Sequence, residues 1–366
     1  MRAAVLERPG APLQIEEIPV PAPKAGEILV QVAACGVCHT DLHVIKGEVA
    51  FPTPCVLGHE ISGNVAALGA GVDGPAPGTP VVCAFVMPCG TCRFCAQGRD
   101  DLCDSFFGMN RLKGTLYDGQ TRLFRGDGSP LWMYSMGGLA EYAVVPATDV
   151  FPLPSGVPVH EAAILGCAVF TAYGAVRNSA DLRVGESVAV IAVGGVGMNL
   201  VQVARAFGAS QIVAVDLQDA KLDMARQLGA TDTVNAARED AVARVRELTG
   251  GRGVDVSFEA LGRPETFIQA SEVLCDGGRM VAIGIAPGTT TAPLEITRLV
   301  RRSQRVIGSY GARTRTDMPA VLKLAAAGAL SPVGAISRHC ALDDVTQAYR
   351  DLSEGKMVGR AIVQIR

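Results

Sequence analysis

The stretch Ser187–Asp216, SVAVIAVGGVGMNLVQVARAFGASQIVAVD, decides the fold. It opens with an apolar, valine-rich run of strand length, SVAVIAV. A glycine turn follows, Gly194-Gly195-Val196-Gly197, and then MNLVQVARAFGA, whose apolar residues recur at helical spacing. The second apolar run, QIVAVD, ends in Asp216. Strand, glycine turn, helix and strand make one βαβ unit. Glycines in the first turn let the backbone approach a pyrophosphate and let the helix pack closely on the sheet. The start of the helix offers unpaired N–H groups and a positive dipole end to the phosphates. Ala192 stands where the G-x-G-x-x-G fingerprint has its first glycine. The context still fits, because Asp216 closes the second strand at about the 20-residue distance the fingerprint asks for. A carboxylate there accepts hydrogen bonds from ribose hydroxyls and repels a 2′-phosphate, so NAD is expected rather than NADP.

Downstream, AKLDMARQLG, VDVSFEA, the amphipathic stretch around ETFIQASEVL and RMVAIGIA continue the alternation of helical and strand-like segments. That pattern predicts a doubly wound parallel sheet over residues 169–305. Residues 1–168 have a different texture. Short β-prone runs such as EILVQVAA and TPVVCAFV are separated by proline and glycine, which predicts an irregular, barrel-like β-rich domain. The last segment, 306–366, ends in the strand-like GRAIVQI and is expected to rejoin the first domain. The fold class is therefore α/β, a β-rich domain with a nucleotide-binding domain inserted in it.

Composition limits the function. The chain has 366 residues, enough for about two domains. Its net charge is −3 with no long basic run, which argues against nucleic acid as the partner. MRAAVLERPG lacks the apolar core of a signal peptide, and no run of about 20 apolar residues predicts a membrane span. Eleven cysteines without an export signal read as reduced thiols and metal ligands, so the cytoplasm is the expected location.

Four of those cysteines, Cys89, Cys92, Cys95 and Cys103, stand in CGTCRFCAQGRDDLC. Close spacings let thiolates converge on one centre. Four thiolates with no open position describe a structural zinc site, with an iron–sulfur cluster as the rival. A second group lies upstream. GVCHTDLHV carries Cys38, His39, Thr40, Asp41 and His43, and LGHE carries His59 and Glu60. Cysteine and histidine are zinc ligands, and three protein ligands plus one open position make a catalytic site. Cys167 in GCAVFTAYG is the candidate third ligand, although spacing alone does not choose it over Cys35, Cys55 or Cys83.

GVCHTDLH, GHE, CGTCRFCAQGRDDLC, GCAVFTAYG, GGVG and Asp216, in this order, resemble the zinc-dependent medium-chain alcohol dehydrogenases along the whole chain. The resemblance implies a GroES-like catalytic domain and a Rossmann NAD-binding domain. It implies a catalytic zinc on Cys38, His59 and Cys167, with Glu60 beneath it, and a structural zinc on Cys89, Cys92, Cys95 and Cys103. It settles zinc over iron–sulfur. By the same resemblance Asp41 orients the His59 imidazole, Thr40 receives the substrate proton, and His43 passes it to solvent. His39 and Arg360 match phosphate contacts, Thr171 a position near the nicotinamide, and Lys221 an adenosine-ribose contact. The long segment between Cys103 and Glu141 resembles the insertion of the long-loop members, which implies a homodimer or homotetramer. Phe85, Trp132, Met133 and Tyr134 align with substrate-cleft positions. The implied reaction is hydride transfer between NAD and an alcohol, with a primary, medium-length, allylic or aromatic substrate favoured by an apolar cleft. The alternatives are a formaldehyde dehydrogenase acting on a thiol adduct, for which Arg111, Lys113 and Arg122 would supply positive charge, and a polyol dehydrogenase.

Overall fold

A computed structural model describes all residues, 1–366. The chain forms two compact units. The first contains residues 1–170, 313–326 and 336–366, and the second contains residues 171–312 and 327–335.

The second unit is built on a six-stranded, all-parallel sheet. Its strand order is Asp232–Asn235, Gln211–Asp216, Ser187–Ile191, Val254–Glu259, Leu274–Ala282 and Arg305–Gly308. The strand order reverses beside Ser187–Ile191, and ligands of such sheets bind at the carboxyl ends of the strands at that point. The core is aliphatic: Ala189, Ile191, Val213, Val215, Val234 and Met280 are all buried. Local chemistry sets the helix ends. Asp240 caps Ala241–Leu248 by accepting from Ala243 N at 3.0 Å. Gly229, in the left-handed region, ends Asp219–Leu228. Pro264 opens Pro264–Glu272, where its missing N–H costs nothing.

Three segments depart from the sequence-based boundaries: residues 169–170 belong to the first unit, and two longer segments belong to the second. Residues 306–312 belong to the second unit because Arg305–Gly308 is the edge strand paired with Leu274–Ala282. Residues 327–335 do too: Gln202, on the helix after the glycine turn, bonds both the N–H and the carbonyl of Ser331. Nothing in the local sequence of these segments announces that attachment.

The first unit holds two sheets. The long strand Glu27–Val37 pairs antiparallel with Ile61–Leu68, Tyr142–Pro146 and the C-terminal strand Arg360–Gln364. It is covered on both faces, so EILVQVAACGV reads as a continuous apolar run rather than an alternating one. This strand delivers Cys38 at its end, and Ile61–Leu68 begins just after His59 and Glu60. The second sheet runs Gln14–Glu17, Arg2–Leu6, Cys55–Val56, Pro130–Met133, Leu123–Phe124. Part of the long insertion therefore forms strands.

One buried group works against stability. Asp149 is fully buried and neither carboxylate oxygen has a hydrogen-bond partner. Burial pushes its pKa well above the usual carboxylate range. The unfolded chain therefore loses this proton first, at about pH 4, and stability falls as pH rises from there. Asp149→Asn should accordingly raise the denaturation midpoint at pH 8 and have little effect at pH 4. Urea unfolding at both pH values checks this, and an equal gain at both would refute the assignment.

Candidate metal and nucleotide sites

Cys38 immediately precedes the helix His39–Ile45, His59 lies in the link between Cys55–Val56 and Ile61–Leu68, and Cys167 follows the short helix Glu161–Gly166. All three are buried, and with Glu60 their ligand atoms lie within 4.8 Å of one another. Two sulfurs and one imidazole nitrogen converging in a buried pocket suit zinc. The thiols are electrostatically unequal. The hydrogen bond from Cys167 holds the Cys38 thiol well below its usual range, with help from Arg360 and His59. Burial pushes the Cys167 thiol up. Burial alone would lower the His59 imidazole, but Asp41 and Cys38 beside it raise it to about 10. A divalent cation bound here would take all three groups in their deprotonated form, and of the three only Cys38 is already biased that way by its neighbours.

Glu60 and Arg360 form a fully buried ion pair next to these ligands. The guanidinium bonds both Glu60 oxygens, and its Nη2 lies 3.3 Å from Cys38 Sγ and 4.0 Å from Cys167 Sγ. Glu60 Oε1 is 4.0 Å from His59 Nε2. Gly36 makes room for this carboxylate, since a Cβ there would stand 2.0 Å from Glu60 Oε2. Asp41 is fully buried, and its Oδ1 accepts from His59 Nδ1 and from Gly58 N, each at 3.1 Å. Its Oδ2 accepts from the hydroxyl of Tyr349 at 3.0 Å. Thr40 Oγ1 lies 3.6 Å from Cys38 Sγ, and His43 Nδ1 is 2.5 Å from Glu48 Oε2. His39 is exposed.

An aromatic wall adjoins the ligands. Phe85 packs edge-on to the His59 ring at 5.9 Å and to Phe170 at 6.2 Å. Tyr134 packs against Phe51 at 4.8 Å and lies under the Arg111 guanidinium, which also bonds its hydroxyl. Met133 and Tyr134 are buried, and Trp132 is half-buried. Arg122 is bound to Glu27 and Asp118, while Lys113 is exposed.

The four cysteines of the short run also meet, their sulfurs within 4.8 Å. Backbone N–H groups point at the sulfurs: Cys103 Sγ accepts from Cys89 N and Phe106 N, and Cys89 Sγ from Cys92 N. Burial opposes ionisation of Cys89, but bonds from Ser105, Thr91 and Cys92 bring it down to about 6. Arg315 ties this lobe to the helix Thr314–Ala326. It bonds the buried Asp100 through both oxygens and the carbonyl of Cys95.

In the second unit, Gly194 precedes the helix Gly195–Ala206 and Val196 lies in its first turn. A Cβ on Gly197 would lie 2.1 Å from the carbonyl oxygen of Ala192, so only glycine allows this helix to sit so close to its strand. Ala192 has φ +71, a conformation that costs an L-residue about 1–2 kcal/mol. Asp216 accepts from Val193 N, Leu217 N and Gln218 N, and Lys221 Nζ stands 3.9 Å from it. Thr171 is buried in the helix Ala168–Gly174. Gly197→Ala should cost about 1–3 kcal/mol of stability through overpacking and weaken NADH binding at least about tenfold. Unfolding and fluorescence titration of the variant test both, and unchanged values would contradict the close packing.

Tyr349 had no signal in the sequence, because it reaches the site from a helix 308 residues beyond Asp41. The pairing of Arg360 with Glu60 was also missed, since a distant pair carries no local pattern.

Comparison with known proteins adds an independent line. Residues 24–155 match the family model of the alcohol dehydrogenase GroES-like domain, and residues 195–327 match that of the zinc-binding dehydrogenase. The chain is 34% identical to the NDMA-dependent alcohol dehydrogenase of Amycolatopsis methanolica, over 99% of this chain and 98% of that one. It is 35% identical to the S-(hydroxymethyl)glutathione dehydrogenase of Photobacterium damsela subsp. piscicida, over 99% of both. The solved structure of benzyl alcohol dehydrogenase from Acinetobacter calcoaceticus superposes with a TM-score of 0.93 at 29% identity, covering 100% of this chain and 99% of that one.

Proposed function

The chain belongs to the zinc-binding alcohol dehydrogenases, and from that premise we propose that it interconverts a primary alcohol of medium length, allylic or aromatic, with its aldehyde, using NAD. The observation that carries this reading is the convergence of Cys38, His59 and Cys167 beside the Phe85–Phe170 wall. Bound at these sites, zinc and NAD supply Lewis acidity towards the alcohol oxygen and a hydride acceptor. The chain does the rest. Asp41 holds the His59 ring through its Nδ1–H, which leaves the Nε2 lone pair free to bind a metal. Thr40 takes the substrate's hydroxyl proton and His43, held by Glu48, passes it on. Phe85 offers an apolar face and keeps water from the reacting carbon. Asp216 takes the ribose hydroxyls, with Lys221 beside it.

We also assign the structural zinc to the four-cysteine lobe, which makes two zinc ions per subunit. His39 and Thr171 are assigned to the cofactor, the subunits to a homodimer or homotetramer, and the enzyme to the cytoplasm, where its eleven free cysteines stay reduced. Arg360, expected at a phosphate, is instead buried against Glu60 and Cys38 and is not assigned there.

The thiol-adduct reading has the Photobacterium relative in its favour. Against it, Arg122 is held by Glu27 and Asp118, and Arg111 is engaged with Tyr134, so neither is available to an adduct's carboxylates. A polyol dehydrogenase would be expected to offer glutamate at Cys167. The test is NADH formation with short, long, allylic, benzyl, secondary and polyol alcohols and with S-hydroxymethyl glutathione. Turnover led by benzyl, allylic or longer primary alcohols supports the proposal. Turnover confined to the adduct or to polyols overturns it.

A further inference from the structure

Tyr349 lies on the helix Val345–Ser353, far from the metal ligands in sequence, yet it ends a buried chain that leads to one of them. Its hydroxyl donates to Asp41 Oδ2 at 3.0 Å, and Asp41 Oδ1 accepts from His59 Nδ1 at 3.1 Å. Tyr349, Asp41 and His59 are 2%, 0% and 1% exposed, so water does not substitute for any link. We propose that Tyr349 is a positioning residue of the catalytic metal centre, its hydroxyl fixing Asp41 so that Asp41 holds His59 with Nε2 turned to the metal. The inference rests on the reading of Cys38, His59 and Cys167 as zinc ligands.

The physical argument concerns the second carboxylate oxygen. A buried carboxylate is tolerated only where its lone pairs are met. Gly58 N and His59 both bond Oδ1, so the carboxylate's rotation about the Cβ–Cγ bond is restrained at one oxygen only. The donor on Oδ2 opposes it. The helix carrying Tyr349 is anchored independently, for Thr346 Oγ1 donates to Leu13 O at 3.0 Å and Asp351 pairs with Arg338. The hydroxyl is therefore presented by a fixed element and does not simply follow Asp41. A phenylalanine would fill the same space. A buried hydroxyl costs free energy unless it is bonded, and here it is spent on the residue that orients a ligand.

The test uses Tyr349→Phe, which removes one oxygen and keeps the ring. Zinc release from the loaded protein to a chromophoric chelator is followed in wild type, Y349F, Asp41→Asn and the double variant. The four-cysteine site serves as the internal reference. In Y349F one zinc equivalent should leave about 10–100-fold faster, as is usual for loss of an outer-shell partner, while the other leaves at the wild-type rate. Metal-free Y349F should unfold at a modestly lower denaturant concentration than metal-free wild type, because the buried Asp41 Oδ2 loses its donor, and the unchanged release of the other zinc separates the effect on the metal centre from that general loss. The double variant should release zinc no faster than D41N, because the hydroxyl acts only through Asp41. Release from Y349F at the wild-type rate overturns the proposal, and so does a double variant in which the two effects multiply. A wild-type protein whose zinc is lost entirely on Cys103→Ser and kept on Cys38→Ser would instead overturn the underlying ligand assignment, and this proposal with it.

Discussion

Cys38→Ser is expected to lower kcat/KM by about a thousandfold or more and to remove one of the two zinc ions per subunit that we propose. The thiol most readily ionised in the catalytic cluster is Cys38, and its sulfur touches Arg360 as well as facing His59 and Cys167. A serine hydroxyl is a poor ligand there, because it keeps its proton. Lewis-acid assistance to the alcohol oxygen is worth several kcal/mol, and about 4 kcal/mol corresponds to a factor of roughly a thousand. The comparison variant is Cys35→Ser. Cys35 is three residues away and equally buried, but its sulfur bonds Gly36 O and belongs to neither ligand group. Metal analysis of both variants decides the matter. Loss of zinc in both, or in neither, would mean that the ligand set is wrongly drawn.

Cys103→Ser acts on stability. Cys103 is fully buried, and its sulfur gathers the N–H groups of Cys89 and Phe106. Structural zinc contributes directly to folding free energy. Without it the four sulfurs lose their common centre, and the Arg315 bonds to Asp100 and Cys95 lose a rigid partner. We expect a loss on the order of 5 kcal/mol, or a Tm lower by about 10 °C or more. Turnover per active site at low temperature should survive, since none of Cys38, His59 and Cys167 belongs to this lobe. Differential scanning calorimetry and zinc analysis read out both. An unchanged Tm in a protein that has lost one zinc would show that the lobe does not depend on its metal.

These variants could be named because local sequence carries certain chemistry openly. Short cysteine spacings bring thiols together whatever surrounds them, and Cys89, Cys92, Cys95 and Cys103 do meet. A strand, a glycine turn and a helix written in consecutive residues fold on themselves, so the parallel unit beginning at Ser187 was legible from periodicity. GVCHTDLHV and LGHE offered residue types that bind metals but left the choice of partner open. Cys35, Cys55, Cys83 and Cys167 look alike on paper, and only the fold brings Cys167 and not the others to Cys38 and His59.

The tertiary structure alone decided the rest, for one physical reason: long-range pairings leave no periodic trace. Arg360 reaches Glu60 because the C-terminal strand pairs with Glu27–Val37, and Tyr349 reaches Asp41 from the helix that precedes that strand. Residues 327–335 join the second unit through Gln202 and Ser331, a contact of side chain to backbone that any polar residue could suggest and none predicts. Sequence by itself determined the clustered thiols, the glycine turn and the parallel sheet, since those depend on neighbours in the chain. Packing decided which buried charge faces which ligand, since that depends on neighbours in space.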